Sequence, residues 1–303
     1  MKSRQFSFDN RLRCALMVVA ASTAMSAGTL LAQTPQPALA PPIKVMSFNI
    51  RYGKANDGDN RWNKRQALVS ETIRMFDPDL LGLQEALPFQ CAFLREQFPE
   101  LDFVGRGREV DADRGEFCAI MFRRQRFEKL AEGHFWLSET PEQPGSKSWD
   151  AALPRMVTWV RLRDRDTQTE FIFANTHYDH IGQQARQFSS EIIRNWLEPF
   201  SDLPFVLTGD FNSAVGSRPY QRLVQGEGDE RSLADTYRTI YPRADSQEGT
   251  SSRWNGNREG ARIDWIVHSS DFSTLNAAID YHNDRGRYPS DHYPVRATIR
   301  LQK

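Results

Sequence analysis

Asp210 and Asn212 stand two residues apart where an apolar run, Leu203 to Leu207, gives way to Thr208-Gly209-Asp210-Phe211-Asn212. Residues two apart on a strand point to the same face, so an acid and an amide would project together past the strand end. A carboxylate there can take a proton from water, and an amide can hold a phosphate oxygen. Together these are the means to hydrolyse a phosphate ester. Gly, Asp and Asn also make ordinary turns, and on this stretch alone the two readings stand level. Other residues share the placement. Asn49, Glu85, His177, Asp264 and the pair Asp291-His292 each lie at or near the end of an expected strand. Each has a plain alternative: Asn49 as a turn residue, Glu85 as a helix-start acid, His177 as a core histidine. Taken together they hold what metal-assisted attack on phosphorus needs. Mg²⁺ takes one or two carboxylates plus phosphate oxygens and waters, a base activates water, and cations or donors meet the charge on the phosphorus oxygens.

The elements that must position these groups follow from periodicity. Apolar runs predict strands over Ile43 to Ile50, Asp79 to Leu83, Phe103 to Gly107, Glu116 to Phe122, Phe127 to Trp136, Arg155 to Leu162, Phe171 to Tyr178, Leu203 to Leu207, Arg262 to Val267, Phe272 to Ile279 and Val295 to Leu301. Helical spacing predicts helices over Trp62 to Phe76, from Pro88 to about Phe98, and over Gln183 to Phe200. Shorter helices are expected at Arg218 to Val224 and Leu233 to Ile240. The helices are too few for every strand to have its own. Two sheets packed face to face with helices outside fit better than one doubly wound sheet. The stretch Leu137 to Pro154, rich in Pro, Gly and Ser, is too long for an ordinary connection, and such loops are often functional. Trp136 and Trp149 on its flanks are candidates to stack a base or sugar ring, with packing as the alternative. Arg155, Arg51 and Arg186 are candidates to grip a second phosphate.

The 303 residues balance 39 Lys+Arg against 39 Asp+Glu. Residues 1–32 hold Lys2, Arg4, Arg11 and Arg13 but only Asp9 among acids, so the remainder is mildly acidic. That leaves no global electrostatic footprint for nucleic acid, though a local basic groove stays possible. The basic start followed by the small, apolar run Cys14 to Ala32 has the layout of a secretory signal peptide, cleaved near Ala32, with an uncleaved anchor as the alternative. Residues 33–42 read as a flexible, Pro- and Ala-rich lead-in, and 43–303 as one catalytic domain without repeats or a composition break. The expected location is periplasmic or secreted, without stable membrane insertion, and the expected state is a monomer. Cys91 and Cys118 can bridge in an exported protein or remain buried thiols. No zinc-type Cys/His spacing is present.

The series SFNIR, LQE, NTHYDH, TGDFN, RIDW and PSDH resembles the endonuclease/exonuclease/phosphatase superfamily, over about Ile43 to Ile299. FWLSETPEQPGS and SWDAALPR resemble an often exported bacterial subgroup related to its deadenylase branch. The resemblance implies an α/β fold: a four-layer α/β/β/α sandwich of two packed, mostly antiparallel mixed sheets. It implies a Mg²⁺-dependent (Mn²⁺ as the substitute) phosphoester hydrolase of nuclease or phosphatase type. The expected substrate is a phosphoester: nucleic acid, nucleotide or small phosphoester. The leading reading is a phosphodiesterase on nucleic acid or nucleotides. The alternative is a phosphatase or phosphodiesterase of a sugar, inositol or lipid headgroup, and a non-catalytic binding module comes last. Carried over motif by motif, Glu85 would be the main metal ligand with Asn49 beside it, and Asp291 would ligate metal or fix His292. Asp210 would orient or deprotonate water, and Asn212 would hold a phosphate oxygen or the nucleophile. His177 would contact the scissile phosphate, Asp264 would brace the catalytic histidine or a metal-bound water, and His292 would stabilise the developing charge. Arg51, Trp149 and Arg155 are the candidate substrate-binding residues, joined by His180, which matches the deadenylase-like pattern and stands either in contact with substrate or as support behind the site. LQE is followed by Ala86-Leu87 and position 177 is histidine, a departure from the abasic-site endonucleases.

Overall fold

The computed structural model describes residues 39–228 and 230–302, so the signal-peptide reading lies outside the described residues. Two six-stranded sheets pack against each other. The first runs β11 (Phe272–Ile279), β12 (Val295–Leu301), β1 (Ile43–Asn49), β2 (Leu80–Ala86), β4 (Phe117–Arg123), β3 (Leu101–Val104). The second runs β5 (Phe127–Trp136), β6 (Met156–Asp164), β7 (Glu170–His177), β8 (Phe205–Asp210), β10 (Asp264–Ser269), β9 (Leu233–Asp235). Pairing is antiparallel except for β1 with β2 and β7 with β8. Helices α1 (Trp62–Phe76) and α2 (Pro88–Gln97) supply the first sheet's outer layer, and α3 (Gln183–Leu197) and α4 (Arg218–Val224) that of the second. This is the four-layer sandwich that the resemblance implies, with the two packed sheets and outer helices that the element count predicts.

Both faces of the central strands are buried, which is why they read as nearly continuous apolar runs rather than strict alternation. The period of two still sorts them. Ile43 and Val45 of β1 join the core between the sheets, while Met46 and Phe48 pack outward under α1 and α2. Ile120 and Phe122 of β4 face inward, Ala119 and Met121 outward. On the second sheet, Phe171 and Phe173 of β7 face inward and Ile172 and Ala174 outward.

Two expected boundaries shift. The strand expected over Phe103 to Gly107 is Leu101–Val104: the ladder to β4 breaks after Val104, and Gly107 rejoins it only as an isolated bridge to Phe117, its N–H going to the Ala112 carbonyl. Leu233 to Ile240 is not one helix. Leu233–Asp235 pairs with β10, and helix α5 (Thr236–Ile240) starts only where the Asp235 carboxylate caps the Tyr237 and Arg238 N–H groups. Cys91 and Cys118 are both free and buried. The end of the lead-in is tied down where it is described: Arg126 donates to the carbonyls of Pro41 and Pro42 and pairs with Asp79 and Asp164. Among the described residues no helix is long and apolar enough to cross a membrane.

Candidate active site

The inward face of each central strand changes character along its length. On β7 it runs Phe171, Phe173, Asn175, His177; on β8, Val206, Thr208, Asp210; on β1, Ile43, Val45, Ser47, Asn49. Apolar core gives way to a buried polar tier and then to the chemical groups. Register brings three of those groups abreast, because His177 pairs with Asp210 across β7 and β8, and Asp210 with Asp264 across β8 and β10.

The first sheet delivers Asn49 and Glu85 opposite them. Asn49 closes β1. Glu85 is thrown out by a bulge: the β2–β4 register runs Leu83 with Ala119, then Ala86 with Phe117, so two residues of β2 oppose one of β4. Glu85 takes φ 59° there, a conformation uncommon for a residue with a side chain. Its Oε2 accepts the Tyr52 N–H at 2.7 Å. The Asn49 amide nitrogen donates to Glu85 Oε1 at 3.0 Å and to Asp210 Oδ2 at 2.9 Å, joining the two sheets through their carboxylates, and its oxygen accepts the Arg51 N–H.

Asp210 satisfies both readings of its stretch. Oδ1 accepts the Asn212 N–H at 3.0 Å, an Asx turn with Asn212 at φ 46°, while Oδ2 faces the cleft. The Asn212 amide nitrogen lies 3.1 Å from His177 Nε2 and donates to the Tyr178 carbonyl. His292 comes from the loop before β12; its Nδ1 sits 3.0 Å from Asp264 Oδ2 and 3.8 Å from Asp210 Oδ2. That loop is pinned by Ser290, whose hydroxyl donates to the Asn49 carbonyl, and by the Tyr293 N–H on the Thr250 carbonyl.

Burial and neighbours set the charges. Burial and then the Asp264 carboxylate push Asp210 above the usual range. For Glu85, burial opposes ionisation, but His292, the Asn49 amide and the Tyr52 N–H outweigh it and keep the carboxyl low. Burial would discharge His292, yet Asp264 and Asp210 hold its imidazole well above the ordinary value. His177 goes the other way: burial, then Arg155 and Arg108, keep it neutral.

Ligand atoms of Glu85, His177 and Asp210 lie within 4.8 Å of one another, as do those of Asp210, Asp264 and His292. In the second group the Asp264 and Asp210 carboxylates favour protonation of His292, and a protonated imidazole offers no lone pair to a metal. The first, with carboxylate oxygens from both sheets, suits a hard divalent cation such as Mg²⁺ or Mn²⁺. Among the described residues Asp264 Oδ1 is buried with no hydrogen-bond partner, a further acceptor at this centre. Asp291 stands outside both groups. Its Oδ2 faces Arg51 Nη1 at 3.5 Å, and burial raises its carboxyl.

The expected substrate-binding residues divide. Arg51, at φ 61°, forks onto Asp57 beside the Asp291 contact and borders the centre. Arg155 is buried against Asp179 and reaches His180, which is exposed. Trp149 is a correction: its ring stacks on Phe188 of α3 at 4.5 Å and 20°, so that face packs the loop rather than a ligand. Trp136 is buried and donates to the Arg108 carbonyl. Arg186 donates to the Asp179 carbonyl and braces the turn. Two groups at the site escape sequence reading. Glu116 Oε2 lies 2.6 Å from Arg108 Nη1 and 3.9 Å from His177 Nδ1. Both precede β4 within the charge-dense stretch Arg106 to Glu116, and no signal in the sequence separates them from the other charges there.

The model of the family described as "Endonuclease/Exonuclease/phosphatase family" matches residues 46–292. Among curated proteins, Protein angel of Drosophila melanogaster is 29% identical over 230 residues, covering 69% of this chain and 59% of that protein. Nocturnin of Rattus norvegicus is 24% identical over 291 residues, covering 84% and 63%. The chain thus spans about three fifths of the length of these relatives. An endonuclease/exonuclease/phosphatase family protein from Bacteroides thetaiotaomicron superimposes with TM-score 0.79 at 32% identity, covering 88% of this chain and all of that one. A mannosyl-6-phosphatase from the same organism gives TM-score 0.76 at 32% identity, covering 85% and 99%. Motif series, two-sheet sandwich and assembled centre meet in one statement: the chain belongs to the endonuclease/exonuclease/phosphatase family of phosphoester hydrolases.

Proposed function

We propose that this protein is a Mg²⁺-dependent hydrolase of a small phosphorylated substrate, a sugar or polyol phosphate before a long nucleic acid. The observation that carries the hydrolytic reading is the Asn49 amide bridging Glu85 of one sheet to Asp210 of the other, with His292 Nδ1 3.0 Å from Asp264. Glu85 would hold the cation, with Asp291 near enough for the two charges to interact. The bound cation would withdraw electron density from phosphorus and offset phosphate charge. Asn49 turns its amide nitrogen toward both carboxylates, and we assign it to clamping them. Asp210, with its carboxyl raised toward neutrality, takes the proton of the attacking water. His292, oriented by Asp264, donates to the oxygen on which charge develops. His177 and Asn212 position the phosphate.

Two points favour a small substrate. A solved structure 32% identical to this chain, which covers 99% of its length, is a mannosyl-6-phosphatase, and the Trp136 ring is buried while Trp149 has one face packed on Phe188. A nucleotide diester is the second reading, favoured by the likeness, at 23% identity over 251 residues, to the CCR4-Not complex 3'-5'-exoribonuclease subunit Ccr4 of Emericella nidulans. The test is a panel of hexose and polyol phosphates, bis(p-nitrophenyl) phosphate and a short RNA, with Mg²⁺ and with chelator. Turnover of the sugar phosphates that chelator abolishes is expected; turnover of RNA alone would overturn the small-substrate reading. Export is proposed from residues 1–32, and N-terminal sequencing of secreted material, expected to start near Gln33, tests it.

A further inference from the structure

Asp179 follows the strand end that carries His177 and is fully buried. Its Oδ1 accepts the N–H groups of Ile181 at 2.9 Å and Gly182 at 2.7 Å. Its Oδ2 accepts those of Ala152 and Leu153, both at 3.2 Å, and faces Arg155 Nε at 3.4 Å. One carboxylate therefore fixes the turn bearing His180 and also aims Arg155. Arg155, 5% exposed, extends to that turn and sets Nη2 2.9 Å from His180 Nδ1. A guanidinium has donors only. Nδ1 must accept, and the proton of the neutral ring then sits on Nε2. His180 is exposed and lies three residues beyond His177, which closes β7 with its Nε2 3.4 Å from Asp210 Oδ2, so it stands beside the assembled centre. Beside it Ile181 exposes its apolar side chain, 66% accessible.

We infer that His180 is a specificity-determining residue whose Nε2–H donates to a hydroxyl or ring oxygen of a sugar or polyol phosphate, and that Arg155 is the positioning residue that sets this tautomer. A fixed N–H next to an apolar side chain matches a ring that offers oxygens at its edge and C–H groups on its face. A second anion would call for the guanidinium, and that is turned inward onto Asp179. The inference rests on the phosphoester-hydrolase reading and names its substrate class.

The test compares kcat/KM for a panel of hexose and polyol monophosphates with kcat/KM for phenyl phosphate, which has no hydroxyl to recognise. In His180→Ala the ratio for the best sugar phosphate should fall about tenfold, the worth of one hydrogen bond. His180→Gln, which keeps an N–H donor, should recover part of it. Arg155→Met should lower the same ratio, and Arg155→Lys should restore it in part. ¹⁵N NMR of the wild-type protein should find the His180 proton on Nε2, and that measurement decides the tautomer even where Arg155→Met fails to fold. A ratio unchanged in His180→Ala, or a proton on Nδ1, overturns this inference alone. A wild-type protein inert toward every phosphoester overturns the hydrolase reading, and this inference with it.

Discussion

Glu85 reaches the cleft only because the chain accepts a left-handed backbone at a residue with a side chain, at a cost of order 1–3 kcal/mol. The Tyr52 N–H and the Asn49 amide hold it there. Gln90 steadies the supporting loop from α2, its Oε1 accepting the Gly53 N–H and its Nε2 donating to the Arg51 carbonyl. A side chain so fixed is suited to binding a cation, whereas Asp210, raised by burial and Asp264, is suited to moving a proton. The two carboxylates should therefore fail differently. Asp210→Asn should lower kcat by roughly 10²–10⁴ at any Mg²⁺ concentration. The loss in Glu85→Gln should be partly recovered by raising Mg²⁺, because occupancy follows mass action. His292→Ala should lower kcat without recovery, its partner being charge that appears in the transition state. Titrating Mg²⁺ against kcat for the three variants separates these roles. Full rescue of Asp210→Asn by excess metal would make Asp210 a ligand instead of the base.

At the scale of elements, the loop between β5 and β6 is held against the second sheet by two aspartates. Asp150, from the loop, accepts the Gln184 and Ala185 N–H groups at the start of α3, while Asp179, from the end of β7, accepts N–H groups at 152 and 153. Trp149 on Phe188 closes the same seam. For Asp179, burial works against the charge, but the N–H groups of Gly182 and Ile181 and then Arg155 prevail and bring the carboxyl down to about 2. A carboxyl lowered by folding stabilises the native state above its unfolded value, near 3.9. That stabilisation fades as pH falls toward the folded value. The wild-type Tm should thus drop between about pH 4 and pH 2, and Asp179→Asn should lower Tm at pH 7 while flattening that acid limb. Thermal melts at several pH values check it; an Asp179→Asn protein with the wild-type acid limb would remove Asp179 from the seam. The seam also shows what a sequence conceals. Strand ends and motif residues were legible because period two and polar punctuation are local signals. The partners of Trp149, Arg155 and Glu116 were not, since Phe188, Asp179 and Arg108 meet them only after folding. The strand Leu233–Asp235 was hidden for the same reason, its pairing with β10 overriding a helical-looking composition.

Across the whole molecule, the two sheets must keep one spacing for Asn49 to bridge Glu85 and Asp210. The polar tier behind the cleft sets it. Asn175 of the second sheet donates to the Leu83 and Ala119 carbonyls of the first, and its oxygen accepts from Gln84 and Thr208. Gly82 lies at the point of closest approach: a Cβ there would fall 2.6 Å from Asn175 Oδ1 and closer still to Thr208 Oγ1. Gly82→Ala must therefore push the sheets apart or break that tier. Overpacking of this kind costs about 1–3 kcal/mol, and the shift lands three residues from Glu85 on the same strand. The variant should unfold at lower urea than the wild type and lose kcat/KM at the same time. Thr208→Ala removes the nearer obstacle and, alone, should destabilise by losing its bond to Asn175. The double variant should lose less than the sum of the two single losses, because the methyl group added at 82 takes the space vacated at 208. Urea denaturation of all four proteins measures that coupling. Strictly additive losses would mean that Gly82 and Thr208 do not meet across the sheets and that the spacing of the centre is set elsewhere.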